Sequence, residues 1–193
     1  MDKIIGQLIA HFKEIVPLDE TDINAIIPKL EIKELDKKDY LIQPGQVRFI
    51  AKGSLHSYYT DEDGREHTAQ LGIENWWIND LYSYLSESAS RMYIQAVENT
   101  TLVQIHKNNL ELLYKEVPKI SEFWRLKMQG AYLILQERTF ENMRFDAYTR
   151  YRTFVNSYPD IEQRFPQYMI ASYLGITIEY LSALRKKHIA DRS

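Results

Sequence analysis

The chain has 193 residues, 45% of them hydrophobic, a formal net charge of −3 and no cysteine. That is material for one medium domain or a smaller pair, and it excludes disulfides, thiolate metal sites, iron–sulfur clusters and a cysteine nucleophile. A chain that is not a polycation needs a local basic patch to meet nucleic acid. From Thr149 to Ser193, seven cations (Arg150, Arg152, Arg164, Arg185, Lys186, Lys187, Arg192) stand against four acids (Asp160, Glu162, Glu179, Asp191), a net +3 that leaves −6 for the rest. The opening "MDKIIGQLIAHFKEI" has neither a long apolar run nor a small-residue cleavage site, and no stretch approaches a membrane span. The expected location is therefore the cytoplasm, with no membrane partner.

In chain order, Ile4, Ile5, Leu8, Ile9, Phe12 and Ile15 recur at helical spacing until Pro17 stops the pattern. Thr21 or Asp22 is placed to cap a second short helix running to Ile27, before Pro28. From Leu30 the character changes to short apolar or alternating runs: "LEIKEL", "DYLIQPG", "RFIAKG" and "MYIQAVENTTLVQI". Turn signals at Pro44-Gly45, Gly53, Asp63-Gly64 and Glu98-Asn99 separate them. "SLHSYYTDEDGREHTAQL" predicts a hairpin around Asp63-Gly64, and a short helix is expected at Asp80–Leu85. Many short strands imply a sandwich or barrel.

After Asn108 the strands stop. "NNLELLYKEV" reads as a short helix, and a proline-free stretch then runs from Lys119 to Tyr158. A break near Met143–Asp146 divides it into a long helix and a second one ending at Tyr158-Pro159. Strands first, then a connecting helix, then a helical end is an α+β order with two domains joined by a helix.

The last forty residues carry the chemistry. Gln167–Leu174 is amphipathic, with Ile170, Ala171 and Leu174 inward. Gly175 can end that helix in the left-handed conformation. Thr177 caps a second helix over Ile178–Lys187, with Leu181 and Leu184 inward. A small Ala171 lets the second helix cross closely. This is the pattern of a helix-turn-helix, whose second helix enters the major groove of double-stranded DNA. Thr177, Glu179, Ser182, Arg185 and Lys186 are the candidate DNA-binding residues, Arg and Lys for guanine edges or phosphates and Ser182 for either. A plain helical hairpin closing a domain gives the same small–turn–apolar pattern.

"IASYLGITIEYLSALRKK", "YTRYRTFVNSYPDIEQRFPQ", "FIAKGSLHSYYTDEDGREHT" and "IQAVENTTLVQI" together resemble the cyclic-AMP receptor protein (CRP/FNR) family of bacterial transcription regulators, over almost the full chain. The tyrosine-rich character, with "ENWWIND", is most similar to the branch found in Bacteroidetes-type bacteria. The resemblance implies a jelly-roll-like β-roll of the cyclic-nucleotide-binding type over 1–118, a dimerisation helix over 119–145 and a helix-turn-helix domain over 146–193. It also implies a homodimer on two-fold-related DNA half-sites. Phe123, Trp124, Lys127, Ala131 and Ile134 are the expected dimer seam, with Gly130 allowing close approach; packing within one chain is the alternative for each.

Three departures follow from the same resemblance. In the effector pocket, Asp80 falls on the family's acidic position, Ser90 on its arginine position, and Arg91 one residue late. On a strand that offset points Arg91 to the other face, so cyclic AMP is not expected, the effector is an unknown small molecule if there is one, and Asp80 reads as a helix cap or a surface residue. The segment between Gly45 and Phe49 is shorter than the family's. At Ala183 the family often carries an arginine that reads bases.

An enzyme reading from a cupin-like roll needs several converging His. His11, His56, His67, His106 and His188 are dispersed, with no His-x-His. His56 and His67 across the hairpin read as a solvated pair. No catalytic residue, metal site or resident cofactor is assigned. The non-enzyme alternative is an effector-sensing or protein-interaction module that has lost DNA binding.

Overall fold

The computed structural model describes residues 2–41 and 45–191. Helix α1 (Lys3–Lys13) begins where the Asp2 carboxylate accepts from the Ile4 amide at 2.7 Å, and it buries Leu8, Ile9 and Phe12. Helix α2 (Glu20–Ile26) starts earlier than Thr21 or Asp22. Asp19 is its cap: Asp19 accepts from the Asp22 amide and Asp22 from the Asp19 amide, each at 3.0 Å. This reciprocal pair satisfies two otherwise orphaned donors, which a single cap cannot do. Pro28 sits in a 3-10 turn, Ile27–Lys29, that ends the segment.

The strands are β1 (Glu31–Leu35), β2 (Gln46–Lys52), β3 (Leu55–Thr60), β4 (Glu66–Gly72), β5 (Tyr93–Ala96) and β6 (Thr100–His106). They form two antiparallel three-stranded sheets, β1-β6-β2 and β4-β3-β5. Leu35, Ile50, Leu55, Ile78, Ile94, Ala96 and Leu102 fill the space between them. "DYLIQPG" is not a strand among the described residues: Tyr40 makes one isolated bridge to Gln95, and the Pro44 half of the Pro44-Gly45 turn lies outside them. Gly53 (φ +91°) turns β2 into β3 so tightly that a Cβ there would stand 2.5 Å from Thr100 Oγ1 and 2.7 Å from the Asn99 carbonyl. Only glycine fits that corner.

A second core lies outside the β2–β6 face. There Phe12 of α1 meets Phe49, Val103, Ile105 and Leu110 of α4 (Lys107–Glu116), and Phe123 of α5. Helix α5 (Pro118–Arg144) runs 27 residues, and only its first turns are buried. Phe123 is 0% and Trp124 6% exposed, with Phe123 edge-on to Phe12 at 4.7 Å and Trp124 to Trp77 at 4.5 Å. These two expected seam residues are therefore part of the chain's own core. A helical stripe can serve either partner, and here the roll claims it. Lys127 is half-buried with its ammonium 5.7 Å from the Phe123 ring, while Ala131 and Ile134 are exposed.

The chain breaks after Arg144, where Asp146 caps α6 (Ala147–Ser157) by accepting from the Thr149 amide at 2.8 Å. Then follow α7 (Ile161–Arg164), α8 (Gln167–Leu174) and α9 (Ile178–Ala190), the last one turn longer than expected. Tyr151, Phe154, Ile161, Phe165, Ile170, Leu181 and Leu184 form their core, which Leu71 of β4 completes. No helix among the described residues is long and apolar enough to cross a membrane.

Candidate nucleic-acid interface

The corner between α8 and α9 is built by three local features. Gly175 takes φ +68°, ψ 37°, so its amide reaches the Ser172 carbonyl (3.1 Å) and the Ile176 amide reaches the Ala171 carbonyl (3.0 Å). This double closure satisfies the last carbonyls of α8. Thr177 then caps α9, its hydroxyl accepting from the Tyr180 amide at 3.2 Å. Leu181, Leu184 and Ala171 are buried where the helices cross.

Burying Leu181, Leu184 and His188, spaced i, i+3, i+7, turns Glu179, Ser182, Ala183 and Lys186 to the opposite side of α9. Glu179, Ala183 and Lys186 are exposed, and Ser182 is half-buried with Gln167 Oε1 at 3.4 Å. Thr177 is exposed, but its hydroxyl is used by the cap. Arg185 is not on this strip. It turns back to Glu162 of α7 at 3.4 Å, and Glu162 in turn accepts from the Tyr151 hydroxyl at 2.7 Å. Lys187 lies over the Tyr148 ring at 4.1 Å, and Arg192 lies outside the described residues. Ile178 (44% exposed) and Tyr180 (49%) flank the strip. Neither was singled out from the sequence, although the spacing that placed Glu179 outward also brings both to the surface.

The helix pair is docked on the roll. The Ser172 hydroxyl accepts from the Thr68 amide (2.9 Å) and donates to the Glu66 carbonyl (3.0 Å), so α8 covers the free edge of β4. Arg138 of α5 donates to the Ala69 carbonyl (3.3 Å) and the Tyr173 carbonyl (2.8 Å), and its guanidinium stacks 4.0 Å from the Tyr173 ring. Arg164 of α7 pairs with Glu74 and Glu98 of the roll.

At the expected effector position, Asp80 caps α3 (Leu81–Ser86), accepting from the Ser83 amide at 3.1 Å and from the Ser90 hydroxyl at 2.6 Å. Residues 87–92 are not a strand, so strand alternation does not orient Arg91; its guanidinium lies 5.8 Å over the Tyr82 ring. Asp80 and Ser90 thus come together, while Arg91 goes to an exposed tyrosine. Trp76 and Trp77 line a groove of about 560 Å³ between β4 and α5, with Lys127 and Arg138 also on its wall.

The two hairpin histidines are not a solvated pair. His56 is fully buried and hydrogen-bonded to Thr68 Oγ1 at 2.8 Å, and burial pushes its pKa down to about 4. His67 faces Tyr59 across the hairpin and bonds Asp61 at 2.7 Å. Among the described residues no group of three His, Asp or Glu is placed to hold a metal ion.

No family model matches the chain, and no curated protein matches it significantly. Solved structures do. FixK2 from Bradyrhizobium japonicum aligns with a TM-score of 0.71 at 17% identity, over 84% of this chain and 85% of that one. CLP from Xanthomonas campestris, described as a global regulator responsive to c-di-GMP, aligns at 0.67 and 14%, over 90% and 93%. A regulator of the CRP/FNR family from Eubacterium rectale aligns at 0.66 and 17%, over 90% and 85%. With a roll, a long helix and a C-terminal helix-turn-helix in the same order, the chain has the fold of the CRP/FNR transcription regulators.

Proposed function

We propose that the protein is a sequence-specific, DNA-binding transcription regulator of the CRP/FNR type. One observation carries this reading: α9 turns a face of Glu179, Ser182, Ala183 and Lys186 away from its own core, on a corner fixed by Gly175 and Thr177. A helix so held can enter a major groove, with Lys186 available to phosphate or a guanine edge. Such work belongs in the cytoplasm. The chain divides functionally into a sensing roll over 1–118, a connecting helix over 119–145 and a DNA-reading unit over 146–193.

The working form is a homodimer paired along the second half of α5. Tyr132, Leu133, Phe140 and Met143 are 64%, 62%, 54% and 81% exposed there. Water does not favour such a stripe, and an equivalent helix would cover it. The effector position is altered and does not take cyclic AMP, because Ser90 closes on Asp80 while the Arg91 guanidinium lies over the Tyr82 ring. A signal read by the roll reaches α9 through the contacts of β4 with α8 and of Arg138 with Tyr173, shifting the population of two arrangements of the reading heads.

The test is selection of bound duplexes from a random pool, repeated with cyclic AMP. An inverted repeat obtained equally in both arms is expected; a strict requirement for cyclic AMP overturns the effector reading. The competing reading, an interaction module without DNA binding, draws on Arg185 being held by Glu162. It requires that no duplex bind even at low salt, whereas a regulator binds there and loses affinity steeply as salt rises.

A further inference from the structure

Among the polar residues on the outward side of α9 stand two with apolar side chains. Ile178 is 44% exposed at the flank of the strip, and Ala183 is exposed on the strip itself with Glu179 and Lys186. Neither side chain can donate or accept a hydrogen bond. Both stand clear of the Leu181–Leu184 core that would otherwise explain an apolar residue.

In a major groove such side chains have one complementary edge. Apart from ring C–H groups, the base edges are donors and acceptors, and the C5-methyl of thymine is the apolar group that projects from them. Pressing isoleucine or alanine onto any other edge strips its water without replacing the hydrogen bonds. Pressing it onto a methyl removes apolar surface from water on both sides. Five residues of helix separate the two by about 7.5 Å along the axis, so they meet different base pairs.

We propose that Ile178 and Ala183 are specificity-determining residues that read thymine through its methyl group, each at its own position of the half-site. This deepens the DNA-binding reading above and rests on it. Glu179 and Lys186, between them on the helix surface, supply the polar contacts. Tyr180 is set aside, because its hydroxyl can serve a phosphate.

The test uses the full-length protein and duplexes selected from the random pool. Each thymine of the selected half-site is replaced in turn by deoxyuridine, which keeps the pairing and the acceptor O4 and removes only the methyl. Affinity is expected to fall about four-fold at each of two positions, the factor that burial of one methyl-sized group supplies. Ile178→Ser, which puts a hydroxyl in place of the apolar tip, should lower affinity for the thymine duplex and abolish the thymine–uracil difference at one position. It should leave the other position, and low-salt binding to unrelated duplex, unchanged; a merely structural Ile178 would weaken both duplexes alike. Ala183→Gly should act in the same way at the second position. Equal affinity for thymine and uracil at every position, with tight binding intact, overturns this proposal alone, as do half-sites selected without thymine. Absence of binding to any duplex overturns the regulator reading as well.

Discussion

Arg164 and Glu74 face each other as a fork, Nη1 to Oε2 at 2.5 Å and Nη2 to Oε1 at 3.0 Å, across 90 residues of sequence. The same guanidinium reaches Glu98. The pair ties the helix that precedes the helix-turn-helix to the loop that follows β4. Only 25% and 33% of the two side chains are exposed, so it is shielded better than a surface pair.

Breaking that fork should loosen the C-terminal helices from the roll. A double-mutant cycle of Arg164→Ala and Glu74→Gln, followed by urea denaturation, is expected to give a coupling of about 1–2 kcal/mol near neutral pH. Burial raises the Glu74 carboxyl, but Arg164 and backbone donors outweigh it and hold it below its ordinary 4.5. A depressed carboxylate stabilises the fold above its unfolded pKa and loses that contribution as pH falls through the folded value. The coupling should therefore vanish in acid, and additive single variants at neutral pH would show the fork to be idle.

His56 should make the protein acid-sensitive in a higher window. Its folded pKa is about 4 against an ordinary 6.5, so between these values the unfolded chain takes up a proton that the folded chain refuses. Stability then drops as pH falls from 6.5 towards 4. His56→Gln keeps a partner for Thr68 and removes the titration. Its stability curve should be flatter across that window, and an unchanged curve counts against the assignment.

Two glycines should respond differently to the same change. At Gly175 (φ +68°) nothing lies within 4 Å of an added Cβ. Gly175→Ala thus costs only the left-handed backbone penalty, about 1–2 kcal/mol. At Gly53 the Cβ would strike Thr100 and the Asn99 carbonyl, so Gly53→Ala should cost more than Gly175→Ala in parallel thermal melts.

On α5, position along the helix should decide which property a substitution alters. Phe140→Glu, on the exposed stripe, is expected to convert dimer to monomer in sedimentation equilibrium with little loss of fold. Phe123→Ala should instead destabilise the fold by about 3–5 kcal/mol, because it empties a core position. A monomeric wild-type chain would sink the dimer reading.

Cations on α9 should likewise separate. Lys186→Ala should make the slope of log affinity against log salt shallower by about 0.9, the loss of one phosphate contact. Arg185→Ala should change the slope less, since Glu162 already holds that guanidinium at 3.4 Å.

Much of the α8–α9 corner was legible in the sequence because its determinants are local. Gly175 and Thr177 act within one turn of themselves. The same spacing showed Leu181 and Leu184 inward. Arg185 was misplaced because its partner, Glu162, belongs to another helix and does not enter the periodicity of α9.

The sequence by itself determined which segments are helices and where the chain turns between them, that strands precede the long helix, and which side of α9 is apolar, because caps, turns and periodicity act over a few residues. Tertiary structure alone decided that Phe123 and Trp124 serve the chain's own core, that His56 is sealed beside Thr68, and that Ser172 closes the β4 edge. Each of these choices is made by residues distant in sequence, whose approach depends on how whole elements pack rather than on any neighbour along the chain.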